Sequence, residues 1–584
     1  MSLVTETPLP LAQPEDVHTR ADWEAATAAV LRKTRKLSDT DPDTAVWDKL
    51  TRKTLDGIAI TPIGTPADLE GVQTSGRPTR AGAWDIRARI AGPDAKSLNE
   101  QALVDLDGGV TSLWVQAGPE TDLKTLLNEV LLDLAPVVLD PTGDPVAVAT
   151  AFLDAFETGT YTNLHPDTNL GVDPIGTALR VTDGSPVTDD EVQAHRAALA
   201  VIAKLAIDRG VRGIVVDATA AHDLGASDVQ ELGFSIFVAT TYLRALAEAG
   251  IEPAVAADLI EFRYAATDEQ FPTIAKLRAA RRLWARVLEL SGVTAEQRQH
   301  AVTSRPMLTK YDPYVNMLRT TVAAFAAGVG GADAVTVLPF ETPVGQPDLF
   351  GRRIARNVSH LLIDESHVAK VADPAGGAYA VEKLTDDLAV AAWAELGLLE
   401  ADGLDAFRAR IADVVARREA EIVTRKRPIT GLTEFPNLAE VLPERAPSDD
   451  GASVRRYGAS FEALRDEPAA APVFLATLGT VAQHTARATF VSNLLAAGGI
   501  AVEVAGPTSG VEELLASYDK QGVVCLAGTD DAYAEWGSAA AAALREAGAV
   551  HVIIAGKATD WADDSAAMGV DALAFLNRTR EKLA

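Results

Sequence analysis

From Trp84 to Leu399 short apolar runs alternate with longer helical ones, and this alternation narrows the possible folds more than any other feature of the chain. Ser112 to Val115, Val137 to Leu139, Gly213 to Val216 and Val335 to Leu338 read as strands. Leu123 to Leu134, Val146 to Phe156, Glu191 to Arg209 and Val229 to Ala249 read as the helices between them. A strand followed by a helix, repeated, requires parallel pairing, so the body is α/β and either a closed barrel or a doubly wound sheet. Periodicity leaves that choice open.

The same grammar returns near the carboxyl end. Val473 to Leu478, Ala501 to Val504, Val523 to Ala527 and His551 to Ala555 are strand-like, with helical Thr485 to Ala497, Val511 to Tyr518 and Ala532 to Ala547 between them. This predicts a small doubly wound sheet with a ligand crevice past the carboxyl ends of its strands. No GxGxxG follows its first strand, which disfavours a dinucleotide. Ala401 to Ala470 is charged and proline-bearing, and reads as a linker region with helix over Leu404 to Ile422. Residues Met1 to Glu15 read as an extended arm, and Asp22 to Leu37 as a helix with Trp23, Ala26, Val30 and Leu31 on one side. The expected division is therefore an arm and helix at 1–40, a large body at 41–400, a linker region at 401–470 and a second domain at 471–584.

At 584 residues the chain exceeds one ordinary core. Cys525 is its only cysteine, which excludes an internal disulfide and a cysteine-cluster metal site. The formal charge of −29 repels polyanions, so nucleic-acid binding is not expected. No apolar run approaches the roughly 18 to 20 residues that cross a bilayer, so a cytoplasmic protein without membrane contact is expected.

Within Phe271 to Trp393, helical runs are predicted over Ile274 to Leu290, Pro313 to Ala327 and Pro347 to Ile363. Ile274, Leu277, Trp284 and Leu288 form one buried stripe of the first, and Arg278, Arg282 and Arg286 read as its solvated side, with an anion-binding row as the alternative. The wording of this stretch is specific. AKLRAARRLW (Ala275 to Trp284), DPYVNMLRT (Asp312 to Thr320), RRIARN (Arg352 to Asn357) and ESHVAKVADPAGGAYAVEKLT (Glu365 to Thr385) together resemble the acyl-CoA mutases, closest to the methylmalonyl-CoA mutase family in its bacterial two-chain form.

That resemblance implies a (β/α)8 barrel, with acyl-CoA threaded along its axis in active members, followed by a flavodoxin-like, cobalamin-binding-type domain. It also implies adenosylcobalamin chemistry, in which the cofactor supplies the radical and the protein supplies binding and orientation. In two-chain members the amino-terminal segment embraces the other subunit.

Set against the family's motifs, this chain departs at each chemical position. In the cobalamin motif Asp-x-His-x-x-Gly, His484 is kept, but Ala482 replaces the aspartate and Arg487 the glycine. Val524, Cys525 and Leu526 stand for serine-x-leucine, and Ala555 and Gly556 for the paired glycines. His484, stripped of the partners that orient a metal ligand, is expected as a surface or loop histidine rather than a cobalt ligand. Ala220 occupies the position of the thioester-binding histidine, with His222 two residues later. Ile90 takes the tyrosine position of Arg-x-Tyr-Ala-Gly, with Arg87 or Arg89 as the displaced arginine. Near Arg298, His300, Thr303 and Ser304 the arginine and histidine persist, whereas the serine-glutamine pair reads Ala301, Val302. In Trp47 to Leu69, which resembles the approach to the CoA channel, Pro62, Ile63, Gly64 and Thr65 place a glycine where the family has an aromatic residue.

The expectation is a small, non-catalytic subunit with no catalytic residue, cofactor or metal of its own, paired as a heterodimer with a homologous catalytic large subunit that binds adenosylcobalamin. Two alternatives are an active acyl-CoA mutase of altered substrate, using His222 as donor and His484 as lower cobalt ligand, and a docking platform for a cofactor-loading chaperone.

Overall fold

The computed structural model describes residues 17–157, 163–181, 189–448 and 453–584. The expected arm, Met1 to Glu15, lies outside them, as do Asp449 and Asp450 of the run beginning at Ser448.

Eight parallel strands close into a barrel: β1 (Asp85–Ile90), β2 (Ser112–Ala117), β3 (Val137–Pro141), β4 (Asn169–Val172), β5 (Arg212–Asp217), β6 (Ile260–Ala266), β7 (Arg298–Thr303) and β8 (Ala334–Thr336). The ring shuts where Ala334 of β8 pairs with Asp85 of β1. Of these strands β1, β4, β6 and β7 carry no uninterrupted aliphatic run, and the apolar pattern alone missed them. The expected helix Leu123 to Leu134 is also shorter, ending at Leu126.

The outer layer supplies the stripe predicted for α3 (Gln270–Leu290). Ile274, Leu277, Trp284 and Leu288 are all buried, and Trp284 meets Phe262 of β6 edge-on with ring centroids 4.9 Å apart. The arginine row corrects the solvated reading. Arg278 is fully buried, with Asp373 at 2.5 Å and Glu382 at 2.6 Å, and Arg282 pairs with Asp386 at 2.7 Å. Only Arg286, paired with Glu289, faces water. Period alone cannot separate a wet arginine from one met by carboxylates of a segment about a hundred residues away.

Ahead of the barrel, α1 (Arg20–Lys33) buries Glu24, Ala28 and Leu31, while Val30 and Ala26 are exposed, so the expected stripe is rotated. Glu24 is drawn in by Trp47, whose indole N–H donates to it at 2.6 Å. Ala28, Leu31, Leu37 and Val46 make a small core of their own.

The helix expected in the linker region is the second half of a longer one, α6 (Tyr379–Val423), which kinks at Gly403, where φ is +77°. A left-handed residue inside a helix is tolerated by glycine because there is no Cβ to clash. Past the kink, Phe407, Ile411 and Val415 join the barrel's core, and Ile422 and Val423 join that of the second sheet. One helix thus ties both cores.

The second sheet is parallel, in the order β10 (Val502–Val504), β9 (Val473–Thr477), β11 (Val523–Ala527), β12 (His551–Ala555), β13 (Asp564–Ala566). This is the flavodoxin-like 2-1-3-4-5 order, whose switch point lies between the first and third strands of the sequence. The fold is therefore a (β/α)8 barrel followed by a flavodoxin-like domain, as expected.

Candidate functional site

Two places in this architecture can carry a ligand: the barrel axis and the crevice at the switch point. At the axis the register decides which side chains point inward. Arg87 pairs with Ser112 and Arg89 with Trp114, while Ile90 pairs with Val115. Alternation therefore sends Arg87, Arg89, Ser112 and Trp114 into the lumen and Ile90 to the outer face, where it is fully buried. Ile90, which takes the tyrosine position of the family motif, thus faces outward, and the inward residue at that level is Arg89.

The lumen is filled. The Arg89 and Arg263 guanidinium carbons lie 4.2 and 4.1 Å from the Trp114 ring centroid, and His300 meets the indole edge-on at 5.4 Å. Each cation has its counter-ion: Arg87 has Glu261 at 2.7 Å and Asp85 at 3.0 Å, Arg89 has Asp140 at 2.9 Å, and Arg263 has Asp217 at 2.8 Å. Arg263 Nε also donates to His300 Nδ1 at 3.2 Å. That leaves the His300 proton on Nε2, which donates to Thr336 at 2.7 Å; the Thr336 hydroxyl in turn donates to the Arg87 carbonyl at 2.9 Å. Burial first, then the Arg87 and Arg263 charges, hold the His300 imidazole well below the usual histidine range. Cation–π and ion-pair contacts of this kind put paired, charged side chains where a threaded acyl chain would run in an open barrel.

At the carboxyl-terminal mouth of the barrel, Ala220 is fully buried in a short helical turn, Thr219–Asp223. The two-residue offset to His222 is thus helical, not a step along a strand. His222 Nε2 lies 2.7 Å from the Ser304 hydroxyl, and its Nδ1 is 3.5 Å from Glu231, in α2 (Asp228–Glu248). Glu231 in turn holds Lys276 at 2.7 Å, with Asp228 at 2.8 Å from the same ammonium. Burial opposes the Lys276 charge, yet these two carboxylates keep its pKa above the usual lysine value. The mouth is also covered by the linker. Arg455 N donates to the Asp223 carbonyl at 2.8 Å, Tyr457 N to that of Pro306 at 2.9 Å, and Glu462 of α7 (Ala459–Asp466) accepts from Lys310 N at 2.8 Å.

The approach segment is closed by the backbone. A Cβ on Gly64 would lie 2.4 Å from the Ala380 nitrogen in the first turn of α6, so no side chain fits there.

In the second sheet, the cobalamin-type motif is helix instead of loop. Thr480 caps α8 (Val481–Ala497) reciprocally with Gln483, whose side-chain oxygen accepts from Thr480 N at 2.8 Å. The Thr-x-x-Gln spacing of this capping box is the sequence signal that starts the helix at Val481 instead of the expected Thr485. His484 therefore sits in the first turn of α8, buried beside the stripe of Val491 and Leu495, with neither ring nitrogen hydrogen-bonded among the described residues. The surface-or-loop placement is corrected: the imidazole is inside and unpaired. Burial lowers its pKa.

Arg487 crosses the crevice. It donates to the Gly528 carbonyl past β11 at 2.7 Å, pairs with Asp530 at 2.5 Å, and stacks 4.9 Å from the Tyr533 ring. The Tyr533 hydroxyl donates to the Ala555 carbonyl at 2.9 Å and accepts from Gly528 N at 3.0 Å. The Arg487–Tyr533 pair thus covers the ends of β11 and β12. Val524 and Cys525 are buried in the strand itself, and burial raises the Cys525 thiol. Trp114 and Tyr533, the residues that fill the two spaces, were not singled out from the sequence; Trp114 becomes visible only once it is set in register against the arginines of β1.

The profile of the methylmalonyl-CoA mutase family matches residues 120–513, more than half of the chain. The chain is 42% identical to a Streptomyces virginiae protein described as methylmalonyl-CoA mutase small subunit, over all of both chains. It is 35% identical to a protein of the same description from Propionibacterium freudenreichii subsp. shermanii, covering 99% of this chain and 97% of that one. A Mycobacterium tuberculosis protein, described as probable methylmalonyl-CoA mutase small subunit, is 39% identical over 93% and 94%. The chain belongs to the methylmalonyl-CoA mutase family.

Methylmalonyl-CoA mutases use adenosylcobalamin, and the residues here do not fit it. A metal-ligating imidazole presents one nitrogen to the metal and has the other held by a hydrogen-bond partner; His484 is buried in the first turn of α8, with no partner on either nitrogen among the described residues. The space a nucleotide tail would need at a mutase switch point is taken by Arg487 and Tyr533. Among the described residues no group of three or more His, Cys, Asp or Glu side chains is placed to hold a metal ion.

Proposed function

We propose that this chain is the small, non-catalytic subunit of an adenosylcobalamin-dependent methylmalonyl-CoA mutase. It pairs as a heterodimer with a homologous large subunit, which binds the cofactor and interconverts methylmalonyl-CoA and succinyl-CoA in cytoplasmic propionate metabolism. In this reading residues 1–40 reach the partner, 41–400 form the mutase-type barrel, 401–470 link, and 471–584 are a cobalamin-type domain that has lost its ligand. The observation that carries it is the inward Trp114 ring, with the Arg89 and Arg263 guanidinium carbons 4.2 and 4.1 Å from its centroid, in the lumen where an active mutase needs an open channel. His222 gives little support to an altered active site, because its Nε2 is already engaged by Ser304. No helix among the described residues is long and apolar enough to cross a membrane.

The test is equilibrium dialysis of the isolated chain against adenosylcobalamin and methylmalonyl-CoA, beside the co-expressed pair. Retention of neither ligand alone, with turnover by the pair, is the expected result. Stoichiometric micromolar binding by the isolated chain defeats the proposal, as does failure to co-purify with the large subunit.

A further inference from the structure

On the outside of the barrel α5 (Leu349–His360), reading LFGRRIARNVSH, packs against both α4 (Val315–Val329) and the helix Ala95–Asp107. Its Arg352 and Arg356 are four apart, so both project from one helix face, where two like charges repel unless a carboxylate stands between them. Asp105 does: Arg356 Nη1 donates to its Oδ1 at 2.9 Å and Arg352 Nη2 to its Oδ2. The trio is nearly dry, with 4% of the Asp105 side chain exposed and 11% and 15% of the two arginines. Neither guanidinium has a second carboxylate among the described residues. Other carboxylates of the surrounding elements are spoken for, Asp85 by Arg87, and Glu341 and Asp348 by Arg445. Two nearly buried cations thus share one anion.

These three side chains line a cavity of about 40 Å³. A water needs about 10 to 15 Å³ of such space, so the cavity takes about three waters or one solute of their combined size. Much of the remaining wall is apolar. Ile86 and Ala88, turned outward by alternation with the inward Arg87 and Arg89, form it together with Val110, Val337 and Ala355. One further polar group belongs to the lining: Ser359 is fully buried and accepts the Trp84 indole N–H at 3.3 Å, while its own hydroxyl proton has no acceptor among the described residues. Waters could satisfy that hydroxyl, but they bring no charge to answer the second arginine, and a buried charge calls for a partner of opposite sign.

We infer that this cavity binds a small carboxylate, an anion the size of acetate, with its oxygens on Arg352, Arg356 and Ser359 and its carbon end against the aliphatic wall. One negative charge brings the Arg352–Arg356–Asp105 cluster to neutrality, and the planar forks of the guanidiniums match a carboxylate's two oxygens. A tetrahedral oxyanion fits less well. Sulfate or phosphate would set charged oxygens against Ile86, Ala88 and Val337, whose side chains offer no donor, and a chain of formal charge −29 disfavours multiply charged anions at long range.

The test is isothermal titration calorimetry of the full chain with sodium acetate in chloride-free HEPES buffer, with formate and sulfate titrated beside it. Saturable binding of one acetate per chain is expected, about fourfold tighter than formate for the one extra carbon buried, with sulfate weaker than both. Arg356→Gln should abolish the binding, and Ser359→Ala, which leaves the ion trio untouched, should weaken it about tenfold. Arg353→Gln, on the exposed side of α5, should leave it unchanged. If circular dichroism shows that Arg356→Gln does not fold, Ser359→Ala decides alone. Absence of saturable binding by wild type sinks the inference. So does binding that neither variant changes, which would mark an adventitious ion only, held elsewhere on the chain. Sulfate binding tighter than acetate overturns it too, because the cavity would then take a tetrahedral oxyanion.

Discussion

The barrel axis and the switch-point crevice are both places where a mutase holds its ligands, and in this chain they are closed to different depths. The axis is filled by inward side chains from many strands, in a network where each guanidinium has a carboxylate and one aromatic ring takes the centre. The crevice is closed by one arginine laid over one tyrosine at the surface. A lumen filled from several strands cannot be reopened by one substitution, because each removed group strands a partner. A crevice covered by one pair has little stability tied up in its closure.

This difference sets the order of the effects. The largest belongs to the axis. Glu261→Ala leaves the Arg87 guanidinium, itself buried, without its closest carboxylate. Breaking a buried pair from one side costs about 3 to 5 kcal/mol. The joint replacement Arg87→Met with Glu261→Leu removes that pair, while Asp85, which Arg87 met at 3.0 Å, keeps the Thr111 and Ser112 hydroxyls, so the joint variant is expected to lose less stability than the single one. Chemical denaturation of the three proteins checks this; equal losses for the single and the joint variant would show that the lumen is ordinary core, and the contrast with the crevice would disappear.

The same network explains what could be read beforehand. β2, β3, β5 and β8 were legible because each contains an aliphatic run, the usual mark of a strand buried on both faces. β1 reads DIRARI, β6 IEFRYAA and β7 RQHAVT, with charged or imidazole side chains two residues apart interrupting each apolar run. Those side chains are Arg87, Arg89, Glu261, Arg263 and His300, the ones that fill the lumen. What closed the site also hid the strands. That Ala220, Ala482 and Arg487 depart from the family's motifs is legible in the sequence, because a missing donor or an added guanidinium is a matter of identity. The inward or outward sense of Ile90 was not, because it depends on register with β2, and the burial of His484 was not, because it depends on a helix starting at Thr480.

His484 gives the intermediate effect. Its pKa is lowered by burial in the folded chain, so the unfolded state binds a proton that the folded state does not. Its contribution is then fully present above the unfolded value of about 6.5 and is lost as the pH falls below it, by at most about 1.4 kcal/mol per pH unit. His484→Leu removes the titration and two unpaired nitrogens, so the variant should match or exceed wild type near pH 7.5 and lose less stability between pH 7 and 5. Urea midpoints across that range are the measurement. A parallel fall in both proteins would mean that the imidazole is solvated or paired, and the second sheet would then still carry a usable nitrogen.

The smallest effect belongs to Arg487. Its carboxylate partner, Asp530, has 89% of its side chain exposed, and pairs this wet contribute between nothing and about 1 kcal/mol. Arg487→Ala should therefore shift the urea midpoint little, while uncovering Tyr533 and Gly556. If the crevice were the only barrier to a corrinoid, this substitution would restore some binding. It is not expected to, since α8 still begins at Thr480 and still turns His484 inward. The visible spectrum of cobalamin titrated with the Arg487→Ala chain should match that of the free cofactor. Spectral signs of a protein imidazole on cobalt would mean that the first turn of α8 unwinds when space is offered, and the crevice would then be a shut site rather than a lost one.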